Sequence, residues 1–393
     1  MLEPWRAVEA ETGQIADAAG LEALARDFPN SASVRLRLLN VYFGEGDADG
    51  VFDQVMWLVR RGYQFSSGAE GQIADLFDGE KAAQVLQAFA EDPAPLVAST
   101  VVATLPREAR LPESVLSLDD GRYMVTDVIL RGRWLGKDGA WEFHSRPDLG
   151  NVSGLAQDPG HPGSARSIWM ASGNLGMVPE GTEVFSGLIQ GEDGERHLLA
   201  PEGANLSDIA VGADGAVYAS DPSGGGVYRL TAPDGTITTL VAPGTLRSPQ
   251  GIAPAEDASR LYISDYRYGI AIVDTATGTV SRLGTEVPVL LDGIDGLWLH
   301  EGELIAVQNG ISPMRIIALR LSDEGNRITA MRVLERSNPE WTEPLGGSIR
   351  DGALYYIGNG SWDLYEEGGR AREGAQSRET HIRRLELAKN PTD

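Results

Sequence analysis

RSPQGIAPAEDASRLYISDYRYGIAIVD, from Arg247 to Asp274, carries the pattern on which most of this 393-residue chain is built. A turn at Pro249-Gln250-Gly251 leads into a short apolar run, and a charged turn at Glu256-Asp257 leads into a strand from Leu261 to Ser264. A tight loop from Asp265 to Gly269 precedes a second strand, Ile270 to Val273, and Val280 to Leu283 supplies another. Alternating apolar and β-branched residues bounded by Gly, Pro, Asp and Ser mark short antiparallel strands. Four of them in about 40 residues make one propeller blade.

The pattern returns from Asn205 (NLSDIAVGADGAVYASDPSGGGVYRL) and from Asp292 (DGIDGLWLHEGELIAVQNGISPMRIIALRL), and more weakly from Glu113, Ser153 and Gly346. Start marks at Glu113, Ser153, Asp208, Gly251, Gly296 and Gly347 lie 40–55 residues apart and count six blades. The expected fold is mainly β: a six-bladed β-propeller over 96–393, preceded by a small all-α domain over 1–95.

Up to about residue 92, apolar residues fall at three- and four-residue spacing, as in Val34, Leu38, Leu39, Val41 and again Val51, Val55, Leu58, which is helical periodicity. Asn30-Ser31 reads as an N-cap and Gly44 to Gly50 as the break between two helices. Further helices are expected over Trp5–Ala18, Leu21–Asp27, Glu70–Phe77 and Lys81–Ala90. The pair from Pro29 to Gly62 resembles a tetratricopeptide-type hairpin, which implies a surface for a protein partner; a helical cap packed on the propeller is the competing reading. Glu91-Asp92-Pro93-Ala94-Pro95 reads as a linker. The strand after it, Ser99 to Leu105, has no blade of its own and is expected to complete the last one by pairing across the chain ends. Glu366 to Glu379 (EEGGRAREGAQSRE) reads as a solvated loop, with a lid bearing Arg370, Arg372 and Arg378 as the alternative.

With 33 basic against 57 acidic residues, a net charge of −24 opposes nucleic acid and anionic lipid as partners. The absence of cysteine excludes disulfides, thiolate metal sites and a cysteine nucleophile. No window reaches 18 uninterrupted apolar residues, so no membrane span is expected. The opening MLEPWRAVEAETG lacks the basic, apolar and small-residue order of a leader, giving a cytoplasmic reading, or a periplasmic one if a leader has been removed. The five histidines lack zinc-type spacing, Gly224-Gly225-Gly226 has no following Lys-Ser/Thr, and no Gly-x-Ser-x-Gly elbow occurs.

In a propeller the first strand of each blade lies nearest the axis, so the turn entering it delivers one residue to a common point. Those turns carry Glu113, Ser153, Ser207-Asp208, Gln250, Asp295 and the Gly346–Ser348 segment. They offer oxygen and neither sulfur nor imidazole, the donor set of a hard divalent cation. Carboxylates gathered without such an ion or protons would repel one another.

With these turns, roughly residues 100 to 390 resemble the senescence-marker-protein/gluconolactonase group of six-bladed propellers, and more distantly the paraoxonases. The resemblance implies hydrolysis of a lactone or related ester at one axial divalent metal, Ca²⁺ first, Mn²⁺ or Zn²⁺ as alternatives. Glu113 in Pro112-Glu113-Ser114 and Asp295 in Ile294-Asp295-Gly296 match the family's acidic ligands, while Ser207 and Gln250 stand where it has asparagines. Asp208 is a further ligand or belongs to a second, structural ion. Asp295 is the candidate base that activates water, with pure ligation as the equal alternative.

Loops between second and third strands open on the same face, so Tyr266, Arg267, Tyr268, Asn309, Asn359 and Trp362 are expected to contact substrate. Asp221 and Asp265 recur at equivalent turns and read as turn formers. The competing functional class is a non-catalytic binding or scaffold propeller with a vestigial axial site. A strictosidine-synthase-like activity shares the architecture, but no residue specifically supports it.

Overall fold

The computed structural model describes residues 2–7, 13–91, 93–137, 139–146, 148–161, 164, 167–194, 196–231 and 235–387. Among them, six sheets form six blades, antiparallel except where Gly284–Thr285 adds a parallel strand to the edge of the fifth. Blade 1 runs outward through Pro112–Ser117, Tyr123–Asp127, Gly132–Lys137 and Ala140–Ser145. The inner strands of blades 2 to 6 are Asn151–Gln157, Ile209–Val211, Pro249–Pro254, Ile294–His300 and Gly347–Arg350. Each inner strand contacts those of the blades on either side, and the blade 6 strand contacts that of blade 1. The alternation read from Leu261 to Val273 is thus a blade packed on both faces, with Leu261, Ile263, Ala271 and Val273 in one core and Tyr262, Ile270 and Ile272 in the next.

The chain ends meet in blade 6, whose order outward is Gly347–Arg350, Ala353–Ile357, His381–Glu386 and Thr100–Thr104. Behind that seam lies a buried polar network. Ser99 Oγ, Asn338 Nδ2 and Tyr356 OH donate to Glu335 at 2.8, 2.6 and 3.0 Å, and Arg383 Nε donates to Ser99 Oγ at 2.8 Å. Arg383 also reaches Glu340 Oε2 at 2.7 Å.

One device recurs around the ring. Asp127 accepts from the backbone N–H of Arg110, Leu111 and Leu130; Asp221 from Asn205, Ser223 and Gly224; Asp265 from Arg247 and Arg267. Each carboxylate ends a second strand and ties down the segment that enters its own blade. Asp221 and Asp265 are turn formers.

Among the described residues, five α-helices precede the propeller: α1 (Ala18–Asp27), α2 (Ala32–Glu45), α3 (Ala48–Val59), α4 (Ser67–Ala74) and α5 (Gly79–Ala90). Gly46 ends α2 at φ 73°, and the Asp47 side chain caps α3. Their apolar faces are not closed on themselves. Leu21, Leu24, Phe28, Val34 and Leu38 share a core with Ile263, Tyr268 and Val273 of blade 4, while α2 to α5 enclose Leu290 and Ile311 of the blade 5 loops. Asp292 fixes the joint: it accepts from Ala32 N at 2.8 Å and Ser33 N at 2.6 Å, so a propeller carboxylate satisfies the free amides at the start of α2. No described helix is long and apolar enough to cross a membrane.

Two expectations change. A continuous helix over Trp5–Ala18 is not found: of its described residues only Ala18, the first of α1, is α-helical, with a single 3-10 turn at Gly13-Gln14, and 8–12 lie outside them; Glu3–Pro4 extends blade 4 beside Ser281 and Arg282, and the Trp5 indole donates to Thr245 O. The Glu366–Glu379 stretch is not simply solvated. Tyr365–Glu366 pairs with Arg370–Ala371, and the hairpin docks on blade 2 through Gly368 N to Gly176 O at 2.7 Å. Its turn needs glycine: Gly369 has φ 69° and a Cβ there would lie 2.6 Å from Met177 O.

Replacing Arg383 by Met removes the guanidinium bonds to Ser99 in the buried seam, with an expected loss of about 1–3 kcal/mol in urea unfolding. Arg384→Met, which removes an exposed contact with Glu386 and a part-buried one with Tyr355, is expected to cost less than about 1 kcal/mol.

Candidate active site

The strands do not run straight to the axis. Register shifts interrupt the inner ladders between Pro112 and Val115, Val152 and Leu155, Pro249 and Ile252, and Ile294 and Gly296. These irregularities hold Glu113, Ser153, Gln250 and Asp295, because an extra residue on one strand re-aims its side chain. Glycine follows Ser153 and Gln250 for a steric reason: a Cβ on Gly154 would lie 2.5 Å from Ser207 O, and one on Gly251 2.4 Å from Leu297 N.

A pocket of about 300 Å³ opens among the loops between second and third strands. Leu175, Pro222 and Leu345 supply apolar wall, Tyr266 and Trp362 aromatic wall, and Glu113, Asp295 and Glu343 its carboxylates. Deeper along the axis, a cavity of about 20 Å³ shares Glu113, Ser207, Gln250 and Asp295 with the pocket and adds Ser153 and Asp208. All five side chains expected to hold a metal therefore border one small space. A larger cavity of about 540 Å³ lies at the other end of the axis. Leu116, Leu155, Ile252 and Leu297 line it and Glu113 and Asp295 do not, so size alone does not mark the reactive end.

Electrostatics set this centre apart. Glu113 is held well above the usual carboxylate range, first by burial and then by the charges of Asp295, Glu343 and Asp208; the Trp362 indole, donating at 2.6 Å, opposes the shift. Asp295 is raised by burial, Glu343 and Asp208, against a 3.1 Å bond from Asn309 Nδ2. Burial pushes Asp208 to about 6, and burial with the charge of Asp363 pushes Glu343 to about 7. These side chains keep some surface open to the channel but lie deep inside it, so bulk water screens them poorly. Every charge raising Glu113 or Asp295 is another carboxylate. Only Glu343 feels a cation, Arg378, and that guanidinium is already engaged by Asp363 at 2.8 and 2.7 Å.

Donor chemistry fits a hard cation: carboxylates joined by the Ser207 hydroxyl and by Gln250, whose Nε2 donates to Ser248 Oγ at 3.3 Å and so is turned to protein. Among the described residues, however, no three His, Cys, Asp or Glu side chains gather in a metal-holding group, so an ion here would draw on the neutral oxygens as well.

No family model matches the chain, and no curated protein matches it. Similar solved structures include a gluconolactonase from Xanthomonas campestris, 16% identical with a TM-score of 0.48, covering 75% of this chain and 97% of that one. They also include a catalytically inactive virginiamycin B lyase from Staphylococcus aureus with quinupristin, 16% identical, TM-score 0.46, covering 72% and 83%. A third is a PQQ-bound aldose sugar dehydrogenase from Streptomyces coelicolor, 17% identical, TM-score 0.47, covering 75% and 99%. At such distances this chain's chemistry is left to its own side chains.

The expected substrate contacts divide. Tyr266, Asn309 and Trp362 line the pocket. Asn309 is committed to protein: Nδ2 donates to Asp295 and to Pro344 O, and Oδ1 accepts from Tyr266 OH at 2.9 Å. It orients Asp295, and Tyr266 is left with an oxygen that accepts. Tyr268 is instead buried against Phe28, ring centres 4.4 Å apart, because the helices cover that side of blade 4. Arg267 is exposed outside the pocket, its carbonyl accepting from Ser31 Oγ, and Asn359 lies outside the lining, donating to Glu340 O. Glu343 was missed. It sits four residues before Gly347, in Trp341-Thr342-Glu343-Pro344, where only its place ahead of an inner strand could have flagged it.

Carboxylates raised on folding favour the fold in their protonated form, so their contribution is full below about pH 4 and is lost as pH rises through about 6 to 7 and beyond. In EDTA, Asp295→Asn is expected to match the parent near pH 4 and to exceed it by about 1 kcal/mol or more at pH 8, read from urea unfolding. Parallel profiles would mean that the axial charges do not interact.

Proposed function

We propose that the chain hydrolyses a lactone or a related ester at the propeller axis, with a divalent cation held by Glu113, Ser207, Asp208, Gln250 and Asp295. One observation supports this above others: those five oxygen-bearing side chains border a single cavity of about 20 Å³ at the foot of a pocket large enough for a small molecule. Buried carboxylates without a basic partner carry an unmet need for positive charge, and a cation meets it without protonating them. When bound, Ca²⁺, Mn²⁺ or Zn²⁺ would supply Lewis acidity to a carbonyl oxygen.

The chain's own groups do the rest. Leu175, Pro222 and Leu345 exclude water from one side of the substrate, Trp362 and Tyr266 flank it, and the Tyr266 oxygen accepts from a substrate hydroxyl. Asp295 and Glu343 are the pocket carboxylates open to the proton of an attacking water, with Asp295 also bordering the cation cavity. The second reading is a non-catalytic binding propeller. It is favoured by the lack of any three-member acidic group able to hold a metal among the described residues.

Protein purified without chelator is expected to carry one divalent ion per chain and to hydrolyse some member of a panel of aldonolactones, aromatic lactones and aryl esters. EDTA and Asp295→Ala should each lower turnover by about 100-fold or more. Metal-free protein that gains no thermal stability from Ca²⁺, Mn²⁺ or Zn²⁺ and turns over none of the panel would favour the binding propeller.

A further inference from the structure

Three carboxylates line the pocket, and they are not equivalent. Glu113 is engaged by the Trp362 indole and Asp295 by the Asn309 amide, and both also border the axial cavity. Glu343 borders the pocket but not that cavity, and among the described residues its carboxylate has no hydrogen-bond partner. Its backbone is nonetheless fixed: Gly360 N donates to Glu343 O at 2.8 Å, and Glu343 bridges to Asn359 across the blade. A pocket-lining carboxylate with a held backbone and no hydrogen-bond partner among the described residues is placed to accept a proton.

We infer that Glu343 is the catalytic general base and acid of this site, while Glu113 and Asp295 serve to hold the cation. This rests on the hydrolase reading above. Glu343 takes a proton from water as the water oxygen bonds to the substrate carbonyl carbon and the C=O electron pair moves onto oxygen. As the carbonyl re-forms, the ring C–O bond breaks, and the leaving oxygen receives the proton from Glu343. Lactone plus water gives the hydroxy acid, and the carboxylate is regenerated.

The groups around it suit that task. Asp363 on its own blade disfavours its charge and Arg378, shared with Asp363, favours it, while its own charge raises Glu113 from blade 1, Asp295 from blade 5 and Tyr266 from blade 4. Burial is the largest influence on it and likewise favours the protonated form.

The test is Glu343→Gln in the full chain, assayed on whichever lactone or aryl ester the parent hydrolyses. Expected are a kcat lower by about 100-fold or more, KM within about twofold, unchanged divalent-ion content, and loss of the limb of the kcat/KM profile that rises through neutral pH. Glu343→Asp should restore part of that limb, and matched thermal midpoints would exclude misfolding. A Glu343→Gln protein that keeps half its kcat, or loses the ion, overturns the assignment and leaves the hydrolase standing. A parent that hydrolyses nothing overturns both.

Discussion

Closure of the ring is the constraint on which everything else depends. A six-bladed propeller has no central layer of its own, and its axis exists only because blade 6 meets blade 1. That contact is made by the inner strands, and blade 6 is completed by a strand from before blade 1, Thr100–Thr104, added to its outer edge. The edge strands that would otherwise stay open are thus paired within the molecule. The Ser99, Glu335, Tyr356 and Arg383 network locks the seam. Since buried polar groups are tolerated only when satisfied together, it also fixes the register at which the chain ends join.

Once the ring is closed, residues far apart in sequence share one space. Glu113 and Asp295 come from blades 1 and 5, yet the charge of Asp295 raises the proton affinity of Glu113 through proximity. This is an unfavourable arrangement, and the fold retains it by clamping its neighbours. Asn309 is held by Pro344 and Tyr266, Trp362 is carried on a strap docked to blade 2, and the helical cap is pinned to blade 5 by Asp292. Uncompensated charge of this kind concentrates at functional sites.

Much of this was legible in the sequence. Blade boundaries followed from period-2 strands and Gly/Asp turns, and Glu113, Ser207, Asp208, Gln250 and Asp295 followed from blade topology, because one turn per blade must face the axis. Tyr268 was not legible: its direction is set by Phe28, which lies some 240 positions upstream and packs there only after the helices dock. Glu343 was hidden because the blade 6 inner strand begins at Gly347, so the loop ahead of it reaches the pocket from further back than the turns of the other blades. The strap escaped because its anchor is backbone and glycine, Gly368 on Gly176, which composition reads as solvated loop. In each case a tertiary contact decided what local pattern left open.

The most direct test is anomalous diffraction from crystals grown with Mn²⁺. A single peak in the axial cavity, within about 2.6 Å of oxygens from both Glu113 and Asp295 and with Ser207 or Gln250 completing the shell, is the expected result. A cavity holding only water, or a peak bound by other residues, would contradict an oxygen-ligated reaction centre at the hub of the ring.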